Sequence, residues 1–328
     1  MYEWQYVNNN YNNLIAISKA IGDKRVAHVH GSFGDIYFQT AVINEYNCIH
    51  ENSINIMIDE KYKEFVSKII KNKKIEIYFV ESPKIHNLLS QNNIIGEVNG
   101  LPIRMLPTLY PYIAECLYAG KLRYFDFARI LIRSNAQGQI KPLEQGLELI
   151  NEARSILETL SLPIGKTILI SCENNTHLEF DEEIWTQIIN VIEKHGFTAC
   201  VNSSGTLVNS QKFLIDNRFK KLSIPPYLAV TLIEQCGGYI GTSNGLTGIQ
   251  AYFNHSTPGL HMINAPNGRD NETKDKFGNK IFPRMMGLKE IDSERMSKMQ
   301  NELYIEHGNL SNQNILDVEN FLNKLSDI

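Results

Sequence analysis

Along the chain, short continuous apolar runs alternate with longer stretches in which apolar residues recur at helical spacing. The runs Val26-Ala27-His28-Val29, Ile54 to Ile58 and Ile75 to Val80 predict strands. Between them, Ile36, Phe38, Val42 and Ile43, and then Phe65, Ile69 and Ile70, predict two helices, the second over Lys61 to Ile70. Helical spacing also marks Leu14 to Ile21 ahead of the first strand and Ile85 to Leu89 after the third. A strand that is apolar on both faces needs cover on both, so this strand and helix alternation with short connections predicts a parallel sheet between helices. Asn99-Gly100, lying between Ile94-Ile95 and Ile103 to Leu106, adds a hairpin or an antiparallel strand.

From Tyr112 to Leu160 the spacing is helical. Its aromatics Tyr118, Tyr124, Phe125 and Phe127 suit a core, or less readily an acceptor platform. Lys121, Arg123, Arg129 and Arg133 suit a solvated helix face, or an acidic or phosphorylated acceptor. Leu162-Pro163-Ile164-Gly165-Lys166 then reads as a linker, because two breakers precede a return to strand composition. The alternation restarts with strands at Thr167 to Ile170, Thr198 to Val201, Gly237 to Gly241 and Leu260 to Ile263. Helices are predicted at Asp181 to His195, Tyr227 to Gln235, Ile249 to Phe253 and Asn314 to Leu325. The expected division is a first domain over residues 1–162, a second over 163–308, and a closing helix in 309–328 packing back towards the first.

A chain of 328 residues accommodates two such domains, and 43% hydrophobic with 21% charged residues is ordinary for a globular protein. The net charge of -4 removes the usual electrostatic case for nucleic acid. Cys48, Cys116, Cys172, Cys200 and Cys236 form no C-x-x-C pair and no zinc spacing, so they read as inert thiols in a reducing compartment. With no basic and apolar leader at Met1-Tyr2-Glu3-Trp4 and no run near the ~18 apolar residues that a membrane span needs, the expected location is the cytoplasm, with at most peripheral membrane association.

Two strand tips carry the candidate chemistry. In His30-Gly31-Ser32-Phe33-Gly34-Asp35 a strand passes through two glycines into a helix, exposing backbone N–H groups and the positive end of the helix dipole. Asp35 can cap that helix or act on a substrate as a base. In Gly241 to Gly248, Ser243, Asn244 and Thr247 offer side-chain donors and acceptors, and Gly245 allows close backbone approach. Such a tip can hold a diphosphate without metal, or can simply be a capped loop. Asn174 in the loop from Ser171 to His177, and Ser203 and Ser204 after another strand, belong to the same set of polar tips. Ligands in open parallel sheets bind outside the carboxyl ends of the strands, and two such halves predict a cleft between domains.

Neither glycine cluster fits the dinucleotide-binding or P-loop pattern, and no carboxylate pair stands out as a glycosidase dyad. Glu179, Asp181, Glu182 and Glu183 suit a helix start better than catalysis. His28 and His30 lack the nearby acidic or cysteine partners that a metal would require.

Gly31-Ser32-Phe33-Gly34-Asp35 followed by an apolar helix resembles the N-terminal motif of the bacterial heptosyltransferases of glycosyltransferase family 9. Gly241-Thr242-Ser243-Asn244-Gly245 resembles that family's donor loop. The resemblance implies an α/β fold of the GT-B class, with two Rossmann-like domains whose parallel sheets face an interdomain cleft. It implies an inverting, metal-independent transfer with no cofactor, from a nucleotide-sugar donor to a hydroxyl of a glycan, glycolipid or protein acceptor. Asp35 would be the general base, beside an acceptor-side loop of His30, Gly31, Ser32 and Gly34. The donor would lie against Ser243, Asn244, Gly245, Thr247, Ser203, Ser204 and Asn174.

The chain departs from the family loop, which reads Asp-Thr/Ser-Gly-x-x-His: Ser243 replaces the aspartate, Asn244 the hydroxyl residue and Gly248 the histidine. The family's lysine after the first strand of the second domain has no match in Asn174 to Phe180. Two alternatives share the scaffold: a nucleotide-sugar hydrolase or epimerase, and a catalytically inactive nucleotide- or sugar-binding protein.

Overall fold

The computed structural model describes residues 26–47, 53–70, 72–80, 95–98, 101–105, 128–130, 132–136, 140–141, 143, 145–172, 180–203, 220–242, 244–253, 256–265, 273–274, 280–281, 299–306 and 308–326. The chain divides into two compact units, Met1–Glu144 and Gln145–Ile328.

In the first unit, β1 (Val26–Val29) leads into α1 (Phe33–Asn44), and β2 (Ile54–Asp59) into a single 3₁₀ turn (Glu60–Tyr62) and α2 (Lys63–Ile69). β3 (Ile75–Val80), β4 (Ile95–Val98) and β5 (Leu101–Met105) complete a five-stranded sheet of order β3-β2-β1-β5-β4. β1, β2, β3 and β5 run parallel, and β4 returns antiparallel to β5 with Val98 opposite Leu101, as the Asn-Gly pair predicts. β1 and β2 are buried along their whole length, which accounts for their continuous apolar runs. In α1, the described side chains from Ile36 to Ile43 are all buried, so it is a core helix rather than an amphipathic one.

The second unit begins with α3 (Leu147–Thr159) and continues through β6 (Thr167–Ser171), α4 (Glu182–Lys194), β7 (Thr198–Asn202) and β8 (Lys220–Leu222). Then come α5 (Pro226–Ile233), β9 (Gly238–Thr242), α6 (Gly245–Phe253), β10 (Gly259–Ala265), a small antiparallel pair β11 (Thr273–Lys274) and β12 (Lys280–Ile281), β13 (Gln300–Glu306) and α7 (Asn312–Ser326). The main sheet has the order β13-β10-β9-β6-β7-β8, and all its pairs are parallel. Counted by first appearance this is 3-2-1-4-5-6 reversed, the doubly wound Rossmann order.

The boundary lies earlier than the linker at Leu162 to Lys166 suggests. α3 buries Leu149, Ala153 and Leu157 and packs on α5, and the Gly165 N–H donates to the Gln235 carbonyl at 3.3 Å, so the linker is a turn inside the second unit. α7 places Val318, Phe321, Leu322 and Leu325 in the second unit's core with Ile184, Trp185, Ile188 and Ile192 of α4. Each such side chain contributes about 1.5–3 kcal/mol when fully buried, so this packing fixes the helix.

Candidate functional site

In the first unit the strand order reverses at β1, which has β2 on one side and β5 on the other. The carboxyl tip of β1 is His30, Gly31 and Ser32. Gln39, fully buried on α1, accepts the His30 N–H on Oε1 at 3.0 Å and donates from Nε2 to the His30 carbonyl at 2.8 Å. One side-chain amide thus satisfies both backbone groups of the residue where the described strand ends, at α1's side of the tip. The His30 ring stacks on that of His28 with centroids 5.1 Å apart.

Gly31 turns the chain at φ +115°, a value that side chains other than glycine's rarely adopt. Ser32 caps α1 and forms a capping box with Asp35. Its N–H and its hydroxyl both donate to Asp35 Oδ2, at 2.9 and 2.8 Å. The capping role of Asp35 is therefore present, and the helix dipole favours a carboxylate there. The same bonds set the direction of a half-exposed carboxylate at the strand tip. Phe33 packs edge-on to Phe65 of α2 at 5.1 Å and to Tyr37 at 6.2 Å, which locks the start of α1, and Gly34 is buried in its first turn.

Tyr62 and Gln39 are not evident from the sequence. Pairing of Val29 with Ile58 sets the β2 tip beside that of β1, and the Tyr62 hydroxyl donates to the Gly31 carbonyl at 3.3 Å. Burial, followed by the negative charges of Asp59 and Asp35, holds the Tyr62 phenol protonated well above the usual tyrosine range. Arg129, by contrast, does not await an acceptor: it is buried and pairs with Glu45 at 2.9 Å. Lys121 and Arg123 lie outside the described residues.

In the second unit the order reverses between β6 and β9. The Asn244 side chain spans this point. Its Oδ1 accepts the Thr247 N–H at 2.9 Å, as an N-cap does, and its Nδ2 donates to Ser171 Oγ at 3.0 Å, across from β9 to the end of β6. Beneath it, the Tyr239 hydroxyl shares a 2.7 Å hydrogen bond with Thr247 Oγ1 and also hydrogen-bonds Ser171. Burial raises the Tyr239 phenol far above its ordinary value, and these two bonds act against that rise. Gly241 makes the arrangement possible, because a Cβ there would overlap both hydroxyls.

Asn244, Tyr239, Thr247 and Ser171 thus form a closed ring tying α6 to two strands. Thr247 is buried and belongs to the interior of this ring, so its hydroxyl supports the tip from beneath. The N–H groups of Gly245 and Leu246 open α6, where no intrahelical acceptor exists, and Gly245 is half-exposed. Ser203 lies on the neighbouring tip, its N–H donating to the Leu222 carbonyl at 2.9 Å. Ser243, Ser204 and Asn174 lie outside the described residues. Ser171 and Tyr239, which sequence patterning passes over, carry a readable signal: polar groups closing or interrupting buried strands of small and apolar residues.

Among the described residues, no group of three His, Cys, Asp or Glu side chains is arranged to hold a metal ion, and no helix is long and apolar enough to cross a membrane. No family model and no curated protein matches the chain. Solved structures do. The ADP-heptose lipopolysaccharide heptosyltransferase II of E. coli aligns with 93% of this chain and 100% of its own, at a TM-score of 0.55 and 12% identity. A family 9 glycosyl transferase from Veillonella parvula aligns over 94% and 98%, at 0.56 and 11%. The E. coli heptosyltransferase WaaC with ADP aligns over 92% and 99%, at 0.55 and 13%. The chain therefore has the α/β, GT-B fold that it shares with these proteins, two Rossmann-like units along nearly its whole length.

Proposed function

We propose that this chain is a glycosyltransferase that moves a sugar, with inversion and without a metal ion, from a nucleotide-sugar donor to a hydroxyl of a glycan, glycolipid or protein acceptor. The observation that carries this reading is a coincidence of topology and chemistry. In each unit the strand order reverses beside the strand whose carboxyl tip bears the candidate polar residues, β1 in the first and β9 in the second, and in doubly wound folds that reversal is where ligands bind.

Asp35 takes the proton of the acceptor hydroxyl. The acceptor oxygen bonds to the anomeric carbon from the face opposite the diphosphate, the bond from that carbon to the diphosphate oxygen breaks, and a nucleoside diphosphate leaves. The N–H groups of Gly245 and Leu246, with the α6 dipole, stabilise the charge on the leaving diphosphate, and the Asn244 ring holds them in place. Ser243, Ser203, Ser204 and Asn174 complete the donor side, and His30, Gly31, Ser32 and Gly34 shape the acceptor side. WaaC has been solved with ADP and with ADP-2-deoxy-2-fluoro heptose, which supports a nucleotide sugar as the donor class here. The replacements at Ser243, Asn244 and Gly248 argue for a donor sugar other than that family's usual one.

The test is product analysis with a panel of nucleotide sugars, with and without glycan acceptors, in buffer and in EDTA. Acceptor-dependent release of nucleoside diphosphate that survives EDTA is expected. Free sugar released without acceptor would replace this reading with hydrolysis, and binding without turnover would replace it with an inactive binder.

A further inference from the structure

The strand tips of the first unit join three groups in series. The Tyr62 hydroxyl donates to the Gly31 carbonyl at 3.3 Å, and that carbonyl belongs to the same peptide group as the Ser32 N–H, which donates to Asp35 Oδ2 at 2.9 Å. A donor on a peptide oxygen polarises that peptide and strengthens its N–H as a donor in turn. Two features fix Tyr62 in this place. Asp59 accepts the Lys61 N–H at 3.1 Å and so starts the single 3₁₀ turn that swings the ring back over the β1 tip. The Lys61 ammonium lies 4.8 Å from the ring centroid and holds its outer face.

We propose that Tyr62 is a positioning residue for Asp35, acting through the Gly31–Ser32 peptide to hold the carboxylate in direction and in its ionised form. The inference rests on the reading of Asp35 as the base. The other titratable groups carried on the two tips are His30, Asp59, Glu60 and Lys61; Tyr62→Phe leaves each of them in place and keeps the ring against which the Lys61 ammonium lies.

The experiment uses the full chain as wild type, Tyr62→Phe, Tyr62→Leu, Asp35→Asn and the Tyr62→Phe/Asp35→Asn double variant. Turnover of a nucleotide sugar found in the panel, its pH dependence and the melting midpoint are measured, with Tyr78→Phe as the control for a tyrosine elsewhere on the sheet. Tyr62→Phe is expected to lower kcat about tenfold, the size of one hydrogen bond, with the KM for donor within about twofold and the melting midpoint unmoved. Its acid limb should move to higher pH, because the carboxylate loses part of its stabilisation. Tyr62→Leu should match it, and in the Asp35→Asn background the further loss should be under about twofold. An equal tenfold loss in both backgrounds, a wild-type Phe variant beside an impaired Leu variant, or an unmoved acid limb would overturn the inference while leaving Asp35 as base. Full activity of Asp35→Asn alone, or a wild type that turns over no nucleotide sugar, would instead remove the reading beneath it.

Discussion

Gly31 stands against Asp35 so closely that a Cβ on it would come within 2.6 Å of Oδ2 and 2.7 Å of the Asp35 Cβ. Alanine at this position meets two penalties, the clash and a φ of +115° that it adopts only under strain. Gly31→Ala should lose about 2 kcal/mol or more of stability in urea denaturation, or keep its fold by displacing the carboxylate and losing most of its turnover. A variant with both properties intact would contradict the packing described.

Asn244 combines two functions that substitution separates. Asn244→Ala removes the cap on Thr247 and the tie to Ser171, and should cost about 1 kcal/mol. Asn244→Asp keeps an acceptor for the Thr247 N–H but sets a negative charge where the diphosphate is proposed to bind. It should be as stable as the alanine variant or more so, yet bind nucleoside diphosphates about tenfold more weakly, ~1.4 kcal/mol, by calorimetry. Undiminished binding by the aspartate variant would move the diphosphate away from this tip.

The buried thiols give the fold an alkaline limit. Burial pushes the Cys200 thiol up to about 12 from an ordinary value of 9.0, and Cys236 rises for the same reason, with Cys200 adding to it. The unfolded chain therefore releases these protons at lower pH than the folded one. The stability they contribute is whole below about pH 9 and is lost as pH rises towards about 12, at up to about 1.4 kcal/mol per pH unit for each group. Urea midpoints should fall between about pH 9 and about pH 10.5, and Cys200→Ala should make the fall shallower. A flat profile would contradict the assigned burial.

Much of this architecture is legible in the sequence because buried parallel strands must be continuous apolar runs. β1 and β3 are predicted at their observed bounds, and β2, β6, β7, β9 and β10 within a few residues. β8 and β13 are not, for a physical reason. β8 is short and begins with two exposed lysines, and β13 alternates buried and part-exposed positions through polar residues, as strands at the two edges of a sheet can. Pro163 and Gly165 form a turn within the second unit, and only the packing of α3 on α5 distinguishes such a turn from a linker of the same composition.

At the site, the glycine-rich tips and Asp35 stand out by composition. Their supports do not: Gln39, Tyr62, Ser171 and Tyr239 act across elements that patterning along one segment cannot bring together. Thr247 shows the converse. It reads as an outward hydroxyl, yet Tyr239 draws it into the interior.

The most direct measurement of the central claim is the turnover of Asp35→Asn with the donor and acceptor that the panel identifies, beside its affinity for the donor alone. The asparagine keeps an oxygen for Ser32 to bond but cannot take the acceptor proton. Turnover should fall at least ~100-fold with donor affinity little changed, as for the loss of a general base. Near-normal turnover in that variant would contradict the assignment of Asp35 and, with it, the proposed mechanism.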